Sequence, residues 1–536
     1  MLIVQRAEAA PATVWGESSR KMNRNMEENR NCRTVVVIGG GMGGLFTAAF
    51  LSREGYRVTV LEKNSVIGGG LQTFRRYGLG FETGMHILGG IRPGGPMHKV
   101  CHYLGLLDKL AIRDVDHDCM DQVMYASDGM VYRVPESKEA FISYFSKLFP
   151  EEAASIRAYV EALHDMVDEI DFFHLRPTNE HVYTHSESFM WAANRFVAHY
   201  VRHPKLRDVL SYMNPMFGGV GGKTPTYIHA LINVLCISGP GRFAGDSQQM
   251  AEALRKIIED AGGKVVAGDR VNAMQIDDRR VSFVKTEEGR SYVADHYISA
   301  IHPAEMLKLT DSRAFSKAYR RRIAEAPNSY SSFCAYFVFK PGRFPYINHT
   351  CYFQKDYGYI WNYREYNAED WPRGFMYMTP AELHQGKFAT KLIVTAIMPY
   401  DITKCWAETQ TGHRGAAYEE WKENHLERIA QLMEQIYPGF NGMVAHRFAS
   451  SPLTIRDYYG EPEGALYGLF RDCNNIAQSQ VPVFTKVSNL WMTGQNVNLH
   501  GFCGVPLTAI QTAEAIVGRN VIVNKINEAY EAYAQR

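Results

Sequence analysis

Apolar and polar positions alternate in helix and strand grammar at three separated places along the chain. In the first, Thr34–Ile38 (TVVVI) is a continuous β-branched run of buried-strand length. After a glycine cluster, residues 45–53 repeat apolar positions at helical spacing. Gly55 follows as the stop, a residue suited to left-handed backbone past a helix end. Arg57–Glu62 reads as a second strand that closes on an acid, which makes a βαβ start. The second place is 245–300. There Asp246 or Ser247 stands where a helix cap belongs, Met250, Leu254, Ile257, Ile258 and Ala261 share one face, and Gly262 and Gly263 end it. Short strands follow through Val265, Val271, Val281 and Tyr297. In the third, 490–493 is a strand, 494–504 a loop, and a helix runs from Val505 with Pro506 in its first turn.

Between these pieces lie two insertions of different character. Residues 119–238 read as mostly helical, including a helix over 189–210 that places Phe189, Ala193, Phe196 and Tyr200 on one face. Residues 303–484 carry alternating runs, such as Phe333, Ala335, Phe337 and Phe339 and the stretch LIVTAIM, which predict a β-sheet. The expected architecture is α/β, one discontinuous Rossmann-like nucleotide domain (34–118, 239–302 and 485–525) interrupted by an α+β substrate domain (119–238 and 303–484). Residues 1–33 are polar and aperiodic and are expected to be a disordered tail, with Met22 or Met26 as candidate starts; 526–536 is expected to be a C-terminal tail.

Composition narrows the function. A net charge of +1 supplies no long-range field for nucleic acid. The nine cysteines are scattered, without a CxxC pair or a Cys/His cluster of zinc spacing, so no metal site is expected and a reducing compartment fits. The opening MLIV is far shorter than the roughly 7 to 15 apolar residues of a secretory core, and no run of about 18 apolar residues occurs. A cytoplasmic protein, with a membrane surface as a candidate contact, is the expectation.

Gly39, Gly41 and Gly44 form GxGxxG between the first strand and its helix. Gly39 suits the tight turn, Gly41 lets backbone approach a pyrophosphate, and Gly44 allows close helix packing, with phosphate at the positive helix N-terminus. Glu62, ending the next strand, suits a ribose diol and repels a 2′-phosphate. Two features favour FAD over NAD. Gly68 and Gly69 supply a second flexible loop, and TGQNVNLHGFCG offers a second loop-to-helix start whose dipole favours negative charge on a reduced flavin ring.

The blocks VVVIGGGMGGL, IGGGLQTF with GLGFETGMHILGG, GDSQQMAEALRKIIEDAGGKV and TGQNVNLHGFCGVPLTA resemble the phytoene desaturase, carotenoid isomerase and retinol saturase family of FAD-dependent oxidoreductases, and its saturase branch most. The insertions match only in size and character. One departure is Gly70, where many relatives in the wider superfamily carry an arginine. The resemblance implies that Gly39, Gly41, Gly43, Gly44, Glu62, Gly68, Gly69, Val271, Gly494, Gly504 and Val505 hold FAD. It also implies a long apolar isoprenoid or polyene substrate, of retinoid or carotenoid kind, whose C=C bond is saturated, desaturated or isomerised.

The aromatic-rich stretch 343–378 is then either sheet core or a tunnel wall. Similarly, 189–210, with Arg195, Arg202, Lys205 and Arg207, is either a solvated helix or an interfacial one. His86 and His500 are the candidate proton donors, with loop-shaping hydrogen bonds as their alternative role. A single GxGxxG leaves NAD(P)H, a reductase or a ferredoxin as external electron partner. A flavin amine oxidase and a non-catalytic prenyl-lipid escort protein are the other readings of the same fold.

Overall fold

The computed structural model describes residues 33–84, 87–178 and 185–535. The β-branched runs are buried because they lie side by side in one parallel sheet. Its strand order is Leu490–Met492, His296–Ser299, Thr34–Ile38, Arg57–Glu62, Lys264–Ala267. Every neighbouring pair is parallel, with Val36 opposite both Tyr297 and Thr59. Parallel strands need crossover connections that cover both faces. One face carries Val35 and Val37 against the helices Met42–Arg53, Gln248–Asp260 and Gly501–Val517, through Leu45, Phe46, Leu254 and Ile510. The other carries Val36, Ile38 and Leu61 against the antiparallel strands Val271–Asp277 and Arg280–Thr286.

The insertions jointly build a seven-stranded mixed sheet. Its order is Val444–Ser450, Ser331–Phe339, Lys391–Met398, Gly374–Met378, Thr350–Gln354, Asp121–Tyr125, Val131–Val134. The last two strands come from the insertion read as helical, and Asp121–Tyr125 pairs parallel to Thr350–Gln354. Phe333, Phe337, Leu392 and Val394 pack against Leu426, Ile429 and Met433 of the helix Ala416–Ile436. At the other end of the sheet, Val123, Tyr125 and Tyr352 join the core shared with the helices Lys138–Leu148, Ala153–Asp168 and Thr226–Ile237.

Several local expectations are corrected. Residues 189–210 are not one helix but a turn at Glu187–Met190 and two helices, Ala193–Tyr200 and Pro204–Val209. Pro204 disfavours helical backbone at His203, which is extended at ψ 119°. The apolar face of Ala193–Tyr200 is turned inward, with Ala193, Phe196 and Val197 buried. Its basic neighbours have partners: Lys205 pairs with Asp128 at 2.7 Å, Arg207 donates to the Val201 carbonyl, and Arg195 lies over the Trp191 ring. The two nucleotide helices begin earlier than expected, at Met42 and Gly501, so Pro506 sits inside its helix rather than in the first turn. Ser247 stands at the N-cap of Gln248–Asp260, but its hydroxyl donates to the Leu71 carbonyl at 3.0 Å and does not cap. The C-terminal tail is mostly the helix Val521–Ala534, whose Ile522, Val523 and Ile526 are buried. Residues 1–32 of the expected N-terminal tail lie outside the described residues. Among the described residues no helix is long and apolar enough to cross a membrane.

Candidate functional site

The glycine turn leaves the central strand at its carboxyl end, where open α/β sheets bind ligands. Gly39 has φ +105°, a left-handed conformation that glycine adopts without strain, and its N–H donates to the Leu61 carbonyl at 2.8 Å. A Cβ on Gly44 would sit 2.0 Å from the Gly39 carbonyl oxygen, so the helix can fold back onto its own turn only without one. Gly41 is extended, and a Cβ there would meet only Gly69 Cα, at 3.9 Å. The second glycine loop docks beside it: Gly41 and Gly68 form a parallel bridge, and the Gly68 N–H donates to the Gly40 carbonyl at 2.8 Å.

The third segment closes the crevice. A Cβ on Gly43 would lie 2.8 Å from Gly494 Cα and 3.4 Å from Val505 Cγ1. The hydroxyls of Thr47 and Thr493 lie 2.9 Å apart, and the Thr493 N–H donates to the Ser299 carbonyl at 3.0 Å. The Ser299 hydroxyl at the same strand end is buried without a partner. Bare glycine backbone, two helix N-termini, a buried carboxylate and an orphan hydroxyl at the carboxyl end of one sheet fit a dinucleotide such as FAD.

Glu62 is buried with both oxygens engaged, Oε2 by the Gly40 N–H at 2.7 Å and Oε1 by the Asn64 N–H at 2.8 Å. Burial raises its pKa, and those two N–H groups act against the shift. Each oxygen keeps lone-pair capacity for a ribose hydroxyl. The loop after Gly494 has its own supports. Asn496 accepts from the Leu469 N–H at 2.9 Å and donates to both Glu461 oxygens, at 3.2 and 3.4 Å. Burial pushes the Glu461 carboxyl up to about 7. Arg471 donates to the carbonyls of Asn496 at 3.3 Å and Asn498 at 3.0 Å, which fixes the approach to the helix Gly501–Val517.

His500 is the N-cap residue of that helix, in extended backbone. Burial, and then the Arg471 charge, pull its pKa down to about 4, so the ring is neutral at pH 7 rather than poised near the operating pH. Its Nε2 is buried without a partner, and its ring lies 5.1 Å from that of Tyr467. It lines an apolar pocket with Cys503 and Leu499 on one side and Ile228, Ile232 and Leu235 on the other. Gly504 lines the same pocket, and a Cβ there would lie 2.5 Å from Leu499 Cβ.

The structure thus brings Gly39, Gly41, Gly43, Gly44, Glu62, Gly68, Gly69, Gly494 and Val505 to one crevice, with His500 and Gly504 at its pocket side. Val271 is buried at the start of its antiparallel strand, two residues after Asp269, whose N–H donates to the Glu62 carbonyl. His86 lies outside the described residues. Of the aromatic stretch, Phe353, Trp371, Phe375 and Tyr377 are sheet core. Glu461, Arg471 and Tyr467 went unnoticed in the sequence, since each is a single residue without a spaced partner.

A family model described as flavin containing amine oxidoreductase matches residues 42–374. The all-trans-retinol 13,14-reductase of Rattus norvegicus is 25% identical over 534 residues, covering 91% of this chain and 86% of that protein. Prolycopene isomerase 2 of an Oncidium hybrid cultivar is 22% identical, covering 81% of this chain and 75% of that protein. A solved oxidoreductase from Methanosarcina mazei superposes with a TM-score of 0.61 at 18% identity, covering 90% of this chain and 100% of that one.

Proposed function

The chain belongs to the flavin-containing amine oxidoreductase family, and from that premise we propose that it saturates, desaturates or isomerises a C=C bond in a long apolar polyene of retinoid or carotenoid kind. It is an FAD-dependent oxidoreductase. The observation that carries the proposal is the contact of Gly43 with Gly494, which sets the phosphate crevice directly beside the apolar pocket of His500 and Cys503. When bound, FAD supplies the two-electron redox chemistry.

The division of labour follows from the residues. Gly39, Gly41, Gly68 and Gly69 would carry the pyrophosphate and Glu62 the adenosine ribose, with Val271 beside the adenine. Gly494, Gly504 and Val505 would place the helix Gly501–Val517 with its positive end toward the ring. Ile228, Ile232, Leu235 and Leu499 exclude water from the reacting bond. His500, neutral at pH 7, would hand on a proton only as a neutral imidazole, accepting at one nitrogen as it donates from the other. His86 remains a second candidate donor from the sequence. Electrons would come from or go to an external NAD(P)H, reductase or ferredoxin, because the chain carries a single dinucleotide motif. The eight cysteines among the described residues are all free, which suits the cytoplasm.

The test is anaerobic reduction of the yellow holoprotein followed by addition of all-trans-retinol, a carotenoid, an unsaturated fatty acid or an amine to the oxidised and reduced forms. Flavin reoxidation by a polyene, with loss of its long-wavelength absorbance, is the expected result. Bleaching of the oxidised flavin by an amine, with hydrogen peroxide formed once air is admitted and no response to any polyene, would overturn the reading in favour of amine oxidation. A colourless protein that binds prenyl lipids would favour the escort reading.

A further inference from the structure

Beyond the pocket, the interior of the protein holds a group of buried polar side chains, one of whose hydroxyls the fold leaves without a partner. Asp121 and Thr350 are cross-strand neighbours, as are Val123 and Tyr352, on parallel strands of the seven-stranded sheet. Asp121 is 1% exposed and accepts from the Tyr212 hydroxyl at 2.7 Å. Arg242, also 1% exposed, donates to the Thr350 hydroxyl at 2.8 Å, supplying the balancing positive charge. Tyr352, 1% exposed, packs edge-on against the Tyr212 ring at 5.1 Å, and its hydroxyl is buried without a partner. A buried unpaired hydroxyl destabilises the fold, and phenylalanine in the same place would avoid that cost.

The position of the group suggests what the hydroxyl is for. Tyr352 lies within electrostatic reach of Asp121, of Cys236 and of Tyr467. Cys236 is one helical turn beyond Ile232, on the pocket-lining face of Thr226–Ile237, and Tyr467 is the ring neighbour of His500. The helix that supplies the apolar wall of Ile228, Ile232 and Leu235 thus also carries a neighbour of Tyr352, and the ring neighbour of His500 is another. Strand Gly241–Phe243, which bears Arg242, pairs with Leu88 at Gly241 and brings Phe243 against Phe502, in the first turn of the helix whose N-cap position His500 occupies.

Resting on the polyene reading above, we propose that Tyr352, backed by Tyr212, Asp121 and Arg242, is the subsite for an oxygen-bearing end of the substrate, and that this end is neutral, a hydroxyl or carbonyl. The Tyr352 O–H donates to that oxygen. An anionic end group is disfavoured because Asp121 already places a carboxylate there, and Arg242, whose Nη2 donates to Thr350 while its Nε is buried without a partner, supplies only the one positive charge that balances it. The substrate then lies with its chain along the face of Thr226–Ile237 and its polar end away from solvent, which fixes which double bond is presented beside His500.

The test compares all-trans-retinol with the hydrocarbon polyene lacking its hydroxyl, each titrated into wild-type holoprotein and into Tyr352→Phe, with binding read from the polyene absorbance. Wild type is expected to bind the alcohol about tenfold more tightly than the hydrocarbon, and Tyr352→Phe to abolish that preference while leaving hydrocarbon affinity unchanged. The variant's Tm should be equal or higher, since no internal hydrogen bond is lost. A preference retained in Tyr352→Phe, or absent in wild type, overturns the subsite while the polyene reading stands. Failure of wild type to bind either polyene overturns both.

Discussion

At the scale of single residues, the crevice is defined by the side chains that are missing. Gly43→Ala adds a methyl 2.8 Å from Gly494 Cα, a backbone atom of the loop between Leu490–Met492 and Gly501–Val517 that must shift to make room. Overpacking of this kind costs about 1–3 kcal/mol, so FAD affinity is expected to fall by about ten- to hundredfold, measured as flavin released on dilution. Unchanged affinity would mean that the two loops are not held together when FAD binds. Glu461 permits a prediction of pH dependence. Burial raises its folded pKa from the ordinary 4.5 to about 7, so the folded chain binds that proton more tightly than the unfolded chain. The stabilisation is complete below pH 4.5 and is lost as pH rises through about 7. Glu461→Gln keeps an acceptor for Asn496 and removes the titration, so it should raise Tm by about 2 °C at pH 8 and leave it unchanged or lowered at pH 4.5. Parallel melting curves for wild type and variant across pH 4.5 to 8 would rule this out.

At the scale of elements, the start of Gln248–Asp260 is tied to the second glycine loop by two side-chain bonds, Ser247 to the Leu71 carbonyl and Gln248 to the Ile67 carbonyl at 3.2 Å. Ser247→Ala removes the shorter bond and should lower stability by about 1 kcal/mol, seen as a shift in urea midpoint with the slope unchanged. The strand, turn and helix from Thr34 onward were legible in the sequence because each constraint is local: β-branched residues fill a buried strand, and glycines mark where backbone must turn or touch. The cap role of Ser247 was misread because its hydroxyl has a better acceptor on a loop that the sequence places 176 residues away. The strand Ser331–Phe339 was legible as sheet from Phe333, Ala335, Phe337 and Phe339, but all nine of its residues are buried. The second face is covered by Phe81 and Phe74 of a distant hairpin, which no alternation pattern can reveal. The candidate site divides in the same way. Its glycines carried their own signal, whereas Glu461 and Tyr352 acquire their properties from burial among residues far off in the chain.

At the scale of the whole molecule, the nucleotide sheet is completed only by the last segments of the chain, and this predicts how it fails when shortened. The edge strand Leu490–Met492 pairs with His296–Ser299, and Gly501–Val517 packs on Met42–Arg53, joining residues more than 400 positions apart at Thr47 and Thr493. The terminal helix Val521–Ala534 is attached differently. It buries Ile522, Val523 and Ile526, and Lys525 meets both oxygens of Glu54 at 2.8 Å, at the far end of the glycine helix from the crevice. Ending the chain at Gly518 should therefore cost on the order of 5 kcal/mol from three apolar side chains, lowering Tm by several degrees, yet leave a yellow protein with FAD affinity near that of the full chain. Ending it at Phe484 removes the edge strand and the helix that faces Gly43, and leaves the core around Phe46 open to water. That form should be insoluble or colourless even with excess FAD. Flavin absorbance and melting temperature of the two truncations, purified side by side, measure the difference. A yellow, soluble protein ending at Phe484 would show that the first two segments hold the cofactor without the third.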